Sequence, residues 1–274
     1  MKILIPTDFS DSARAAFDYA FEMYKGFDDV EFVLLNSYEM PKGGSAGGVM
    51  MNLEEAMAKE SENDLKLEQK LLTEKYQGIS ITTVSRYGTL ENSVARTGNE
   101  DNINVVVMGT HGASGWKKAF IGSNTEKVIE NVEIPVIAVP KGWDYRPIKN
   151  IVYATDLQRL ENPEALKPIC RIAEHFDSTI HIVYVAEKAG EIDLEKEVSK
   201  LPLNDYFSKR NRKFEVIESK SVEIGIDAYV KGIDADLVVL IPKAATFWQK
   251  LFKRSVTEQM CFHTKVPMLT IKDM

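Results

Sequence analysis

The sequence contains an internal repeat, and this feature constrains the fold more than any other. Three short segments of the first half recur in the second half in the same order, the first 148 residues later and the other two 132 residues later. Matches in register at two consistent spacings predict two related domains in tandem, at residues 1–143 and 148–274. The matching pairs are Ile3–Asp8 with Ile151–Asp156, Val106–Met108 with Val238–Leu240, and Ile134–Val136 with Val266–Met268.

The two spacings also show where the copies differ. Because the spacing falls from 148 to 132 residues, the second copy has lost 16 residues net. The simplest place for this loss is the segment Met40–Met51 and the helix after it. With four glycines, a proline and a serine, this segment predicts a mobile loop, either a lid over a ligand or a flexible insertion.

Composition and charge limit the classes of function. The net charge of −7 and the pI of about 5.3 argue against a nucleic-acid partner, because such proteins neutralise phosphates with basic residues. The two cysteines, Cys170 and Cys261, form no paired motif and fit a reducing compartment. The apolar run at the N-terminus is too short for a signal peptide, and no stretch is long enough to span a membrane. We therefore expect a cytoplasmic protein with no membrane partner.

The hydrophobic pattern of the first copy alternates between strand and helix. Short apolar runs suit strands that are buried on both faces of a parallel sheet. An order of β-α-β-α-β-α-β-α-β predicts an α/β fold with a doubly wound parallel sheet in each copy. The strands are expected near 2–6, 30–35, 79–86, 104–108 and 135–139, and the helices near 10–25, 53–76, 90–100 and 124–131.

Glycines after the fourth strand provide the clearest signal for chemistry. The spacing is Gly109-x2-Gly112-x9-Gly122-Ser123. A Gly-Ser pair that opens a helix exposes backbone N–H groups at the positive end of the helix dipole, where phosphates bind well. The hydroxyls of Ser123 and Thr125 can add hydrogen bonds, and the charge would be compensated by Mg²⁺ or solvent. Asp8 and Ser37, expected just past the first two strands, face the same crevice.

This glycine pattern, with Pro6-Thr7-Asp8 ending the first strand and Pro-Val-x-x-Val in the last, resembles the universal stress protein family across essentially the whole chain. The resemblance implies Rossmann-like, adenine nucleotide alpha hydrolase-like domains that bind ATP or another adenine nucleotide. It also implies that the last strands pair across a pseudo-twofold axis, with further dimerisation possible. The implied nucleotide-binding residues are Pro6, Thr7, Asp8, Ser37, Met108, Gly109, Gly112, Gly122, Ser123, Asn124 and Thr125.

In ATP-binding members of the family, the glycine signature holds the phosphates and ribose, while the aspartate of the first strand and the end of the second strand hold adenine. This chain departs from the family at the second strand, which ends in Asn36-Ser37 where members usually have His-Val. The phosphate contacts are therefore better supported than the adenine contacts.

The second copy has lost the glycines of this signature. At the spacing of 132 residues, the three glycines become Ile241, Ala244 and Arg254, and Pro242 removes a backbone donor. Asp156 and the equivalents of Ser123 and Thr125, which are Ser255 and Thr257, remain. We therefore expect a nucleotide in the first copy only, with the second copy degenerate.

Three functions remain open at this point. The first is a regulatory, stress-response module that binds ATP and needs no catalytic base. The second is a slow ATPase or phosphoryl transferase that uses Asp8 for a metal and His111 as an acid or base, although no nucleophile pairs with His111. The third is a scaffold that binds no nucleotide, in which the glycines only make turns and Asp8 only caps a helix. We predict no catalytic residue and no protein metal site.

Overall fold

The computed structural model describes residues 1–40, 48–110, 122–188, 190, 192–241 and 265–273. These residues separate into two compact units, one up to Gly142 and the other from Trp143 onward. Each unit consists of parallel strands joined by helices. The predicted α/β fold with tandem, doubly wound parallel sheets is confirmed.

The first unit has five parallel strands in the order β3-β2-β1-β4-β5. Strands β2 and β3 follow one another on one side of β1, and β4 and β5 lie on the other side. The strand order therefore reverses between β1 and β4, and ligands of such sheets bind at this point. The elements are β1 Lys2–Pro6, α1 Asp11–Tyr24, β2 Glu31–Tyr38, α2 Gly48–Lys75, β3 Ser80–Tyr87, α3 Leu90–Asp101, β4 Val105–Gly109, α4 Ser123–Asn131 and β5 Val136–Val139.

Helix α1 begins where the sequence predicts it. The Ser10 side chain accepts a hydrogen bond from the backbone N–H of Ala13, which makes Ser10 the N-cap. Phe17 and other apolar residues on one face of α1 are buried, and Phe17 packs on Phe32 of β2 with ring centroids 5.2 Å apart. The amphipathic pattern thus fixes α1 against the sheet with its N-terminus at the carboxyl end of β1.

Helix α2 is longer than the sequence predicts. It begins at Gly48, inside the segment expected to be a loop, so the expectation of no helix there is wrong for Gly48–Met51. A glycine costs little in a first helical turn, where several N–H groups lack helical partners in any case. The strongly helix-forming sequence that follows extends the helix back into this segment. The rest of the glycine-rich segment, 41–47, lies outside the described residues.

An ion pair holds α2 against α1. The guanidinium of Arg14 donates from Nε and Nη2 to the two carboxylate oxygens of Glu68, at 2.9 and 3.0 Å. Glu68 is buried, with only 4% of its surface exposed, so Arg14 rather than water supplies its hydrogen bonds there. Lys75 and Tyr76 also donate to Asp18 of α1. These contacts fix the position of α2 along the sheet.

The second unit repeats the strand order as β10-β9-β6-β7-β8. Residues 39–79 separate β2 from β3, whereas only 187–211 separate β7 from β8, so the 16-residue loss falls there as predicted. Two short helices replace the 28-residue α2. The elements are β6 Asn150–Ala154, a 3₁₀ turn Pro163–Leu166, α5 Lys167–Phe176, β7 Thr179–Ala186, α6 Leu194–Ser199, α7 Leu203–Phe207, β8 Arg212–Glu218, α8 Val222–Gly232, β9 Leu237–Leu240 and β10 Met268–Thr270.

The second unit starts its first helix later. Helix α1 begins three residues after Asp8, but α5 begins only at Lys167, eleven residues after the equivalent Asp156. The intervening segment is held by Asp273, whose carboxylate accepts from the backbone N–H groups of Glu161 and Asn162, both at 2.8 Å. The two copies therefore differ beside the carboxyl end of their first strands.

A buried histidine makes the stability of the second unit depend on pH. His181 on β7 is 3% exposed and bonds the Tyr229 hydroxyl from Nδ1 and Asn150 Oδ1 from Nε2. Burial lowers the pKa of His181, Lys213 lowers it further, and Glu215 partly opposes both. The unfolded chain takes up this proton at a higher pH than the folded unit does. The contribution of His181 to stability is therefore fully present above the unfolded pKa and is lost as pH falls from there through the folded pKa.

We expect the free energy of unfolding of this unit to decrease from pH 7.5 towards pH 5, as measured by urea denaturation at each pH. His181→Gln should flatten that decrease between pH 7 and 5. An equally steep decrease in the variant would assign the effect to other groups.

Candidate functional site

A cavity of about 360 Å³ lies in the first unit, at the carboxyl ends of β1, β2 and β4. This volume is in the range of small-molecule sites. Ten of the eleven residues predicted for the nucleotide line it, and the eleventh, Gly112, lies outside the described residues. The ten are Pro6, Thr7, Asp8, Ser37, Met108, Gly109, Gly122, Ser123, Asn124 and Thr125.

Four further residues line the cavity that the sequence argument did not assign to the site: Ala13, Asn36, Leu90 and Thr110. Leu90 could have been predicted from the sequence. It is the first residue of α3, and a helix that follows β3 must begin near the carboxyl edge of the sheet. Ala13 lies in the first turn of α1 for the same reason. Ser37 itself lies inside β2 rather than past it, since β2 pairs with β3 as far as Tyr38.

The turn after β1 forms one wall of the cavity. Thr7 is 8% exposed, and its Oγ1 accepts from the backbone N–H of Phe9 at 2.9 Å. Phe9 adopts φ 61°, a left-handed conformation that costs a non-glycine residue about 1 kcal/mol. Asp8 is exposed, and its Oδ1 accepts from the backbone N–H and hydroxyl of Ser10. The turn thus presents a carboxylate at the cavity and also links it to the cap of α1.

The N-terminus of α4 opens into the same cavity. Gly122 is its N-cap with φ −62° and ψ 150°, and no side-chain cap bond is found for this helix among the described residues. The backbone N–H of Gly122 donates to the Thr110 carbonyl. It is therefore the N–H groups of the first turn, on Ser123, Asn124 and Thr125, that have no acceptor within the helix. Ser123 and Asn124 are exposed, so this positive helix end is accessible to an anion.

The hydroxyl of Thr125 has a structural partner. It donates to the carbonyl of Gly109 at 2.9 Å, and Thr125 is 2% exposed. A hydroxyl has one proton to donate. The hydroxyl of Thr125 therefore links the start of α4 to the end of β4, while the hydroxyl of Ser123 remains exposed beside the cavity.

Gly109 is a glycine because α1 packs against it. A Cβ built at this position would lie 2.4 Å from Oγ of Ser12 and 2.7 Å from its backbone carbonyl oxygen. The sequence argument attributed this glycine to close approach of a ligand. The contact with Ser12, in the first turn of α1, provides a separate reason within the fold itself.

The second unit keeps the turn after its first strand but differs from the first unit at the end of its fourth strand, β9. Thr155 Oγ1 accepts from the N–H of Leu157 at 3.0 Å, and Leu157 has φ 60°, so the turn of the first unit is reproduced. At the end of β9, however, Ile241 stands where the first unit has Gly109, and it is 9% exposed. The other positions of the signature in the second copy, whether replaced or retained, lie outside the described residues: Pro242, Ala244, Arg254, Ser255 and Thr257.

Among the described residues, no other candidate group adds chemistry to this cavity. His111 lies outside the described residues. Burial raises the pKa of the Cys170 thiol to about 11, which suits a structural side chain. The described residues contain no cluster of three or more His, Cys, Asp or Glu that could hold a metal. None of the described helices has the length and apolar content required to cross a membrane.

Comparison with known proteins decides the family. The model of the family described as "Universal stress protein family" matches residues 1–140 and again 147–272. The chain belongs to the universal stress protein family. Two matches in one chain correspond to the two repeats of the sequence.

Individual relatives agree with this assignment. Two universal stress proteins of Methanocaldococcus jannaschii match about half of this chain. One is 31% identical over 141 residues and 82% of its length is covered, and the other is 26% identical over 154 residues with 94% covered. The crystal structure of a universal stress protein from Archaeoglobus fulgidus aligns over 99% of this chain and 96% of its own, with a TM-score of 0.70. At 20% identity, this likeness shows the fold alone.

Proposed function

We propose that the first unit binds ATP and that the protein is a regulatory module of the stress response. The observation that carries the proposal is the start of α4, which is uncapped among the described residues and opens into a cavity at the switch point of the sheet. A protein that regulates by binding needs a selective site and no catalytic base, which fits this set of residues.

The triphosphate would bind at α4. The N–H groups of Ser123, Asn124 and Thr125 supply neutral donors, and the hydroxyl of Ser123 supplies another. The described lining of the cavity includes no lysine or arginine. Mg²⁺ would therefore compensate the phosphate charge, with its ligands mainly phosphate oxygens and water.

The nucleoside would occupy the opposite end of the cavity. The family resemblance places adenine near Asp8 and Ser37, at the ends of the first two strands. Apolar side chains suit the faces of a base, and Leu90 and Met108 are available for this on the cavity wall. The Asp8 carboxylate accepts hydrogen bonds, so it suits a base that presents an amino group.

The second unit would bind no ATP. It retains the turn at Asp156, but Ile241 places a branched side chain at the end of β9, where the first unit has no side chain. The proposal therefore assigns one nucleotide to each chain.

Titration calorimetry of the full chain with ATP and Mg²⁺ tests this proposal. We expect saturable binding with a stoichiometry of one nucleotide per chain. Mass spectrometry of the small molecules released by denaturing the purified protein should identify an adenine nucleotide. Absence of binding would favour the scaffold function, and two nucleotides per chain would contradict the assignment to the first unit. Nucleotide that is steadily hydrolysed would favour the slow ATPase.

A further inference from the structure

A chain of hydrogen bonds connects α2 to the wall of the cavity. The side-chain Nδ2 of Asn36 donates to the carbonyl of Thr7 at 2.8 Å. On its other side, Asn36 Oδ1 accepts from the hydroxyl of Ser61 on α2, also at 2.8 Å. Ser61 is 5% exposed and does not line the cavity, whereas Thr7 and Asn36 do.

The available donors determine the direction of each hydrogen bond in this series. The Thr7 carbonyl only accepts, so the amide nitrogen of Asn36 must face it and the amide oxygen must face Ser61. The hydroxyl of Ser61 gives its single proton to Asn36. Its contact of 2.8 Å with the Ser85 hydroxyl must then use a proton from Ser85. The Thr7 carbonyl thus determines which way the Asn36 amide points, and Ser61 supports this orientation by donating to Oδ1.

The second unit provides an internal control. The position equivalent to Asn36 is Tyr184, which cannot bridge in this way, and α2 has no counterpart of similar length there. The turn nevertheless forms, since Leu157 has φ 60° against 61° for Phe9. The backbone conformation of the turn therefore does not require the chain of hydrogen bonds.

We infer that Ser61 is a positioning residue for the nucleotide site: through Asn36, it holds the Thr7 carbonyl and so sets the position of the Thr7–Asp8 wall. This inference rests on the proposed function. It makes α2, which is tied to α1 by the Arg14–Glu68 pair, part of the support of the nucleoside end. It also gives a role to Asn36, the position at which this chain departs from the usual pattern of its family.

Ser61→Ala tests the inference by calorimetry with two probes, ATP with Mg²⁺ and adenosine. We expect Kd to rise about 3- to 10-fold for both probes, because the loss of one hydrogen bond loosens the nucleoside end, which they share. Thr73→Ala removes an exposed hydroxyl from the same helix and should leave both values unchanged. A thermal melt of each variant checks that it is folded, and the near-isosteric Ser61→Cys replaces Ser61→Ala if the latter unfolds.

A double-mutant cycle tests whether Ser61 acts through Asn36. In an Asn36→Leu background, Ser61→Ala should cause no further change in Kd. An unchanged Kd for Ser61→Ala in a protein that binds ATP would overturn the inference and leave the proposed function intact. The inference would also be overturned if Ser61→Ala raised Kd in the Asn36→Leu background by as much as it does in the unaltered protein. Failure of the unaltered protein to bind ATP would instead overturn the proposed function, and the inference with it.

Discussion

Gly122→Asp should abolish ATP binding without harming the fold. The N-cap has φ −62° and ψ 150°, which any residue adopts without strain. An aspartate there would accept from the first-turn N–H groups of α4 and place a negative charge where the proposal puts phosphate. Like charges brought together in a site cost several kcal/mol, so we expect Kd for ATP to rise at least about 100-fold. The melting temperature should stay constant or rise slightly, because aspartate is the better cap.

Two comparisons isolate the cause of this loss. Gly122→Asn introduces a cap of the same shape without the charge, and should weaken ATP binding by less. Adenosine carries no phosphate, so its Kd should change little in either variant. If Gly122→Asp binds ATP as well as the unaltered protein does, the phosphates do not lie at the start of α4.

Gly109→Ala should destabilise the first unit, although it adds only a methyl group. The new Cβ would lie 2.7 Å from the carbonyl oxygen of Ser12, a backbone atom that cannot move without shifting α1. Overpacking of this kind costs typically 1–3 kcal/mol. We expect a loss of about 2 kcal/mol in the free energy of unfolding, measured by urea denaturation. Gly109→Ile, the residue of the second unit, should cost more.

The matched control is Gly232→Ala at the end of α8, where a Cβ would meet no atom within 4 Å. It should be neutral or slightly stabilising. Adding Ser12→Ala to Gly109→Ala removes the side-chain contact at 2.4 Å and leaves the backbone contact in place. We therefore expect partial recovery only, and complete recovery would show that the backbone of α1 yields easily.

Most of the fold could be predicted from the sequence because its signals are local and repeated. The apolar run of β1, the cap at Ser10 and the glycine pattern after β4 each fix one element. The second copy repeats the apolar runs of β1 and β4 in β6 and β9. The predicted start of α2 was wrong, because helix propagation from the following residues outweighed the turn preference of the glycines and extended the helix back to Gly48.

The site was predictable as a location, because parallel strands bring their carboxyl ends to one edge. The individual roles were less predictable. The N–H of Gly122 is engaged by Thr110, the hydroxyl of Thr125 is engaged by Gly109, and Asn36 joins the wall through Ser61. Each of these bonds joins residues distant in sequence or depends on the exact geometry of a turn, and no periodic pattern in the sequence records it.

The contact between Gly109 and Ser12 restricts how the two copies can have diverged. A large residue at the end of the fourth strand is incompatible with an early start of the first helix, because its side chain would collide with the first turn of that helix. The delayed start of α5 and the presence of Ile241 therefore occur together in the second unit, whereas Gly109 and the early start of α1 occur together in the first. For the same reason, a protein engineer who restores only the glycine at position 241 would leave an unfilled gap rather than a working second site.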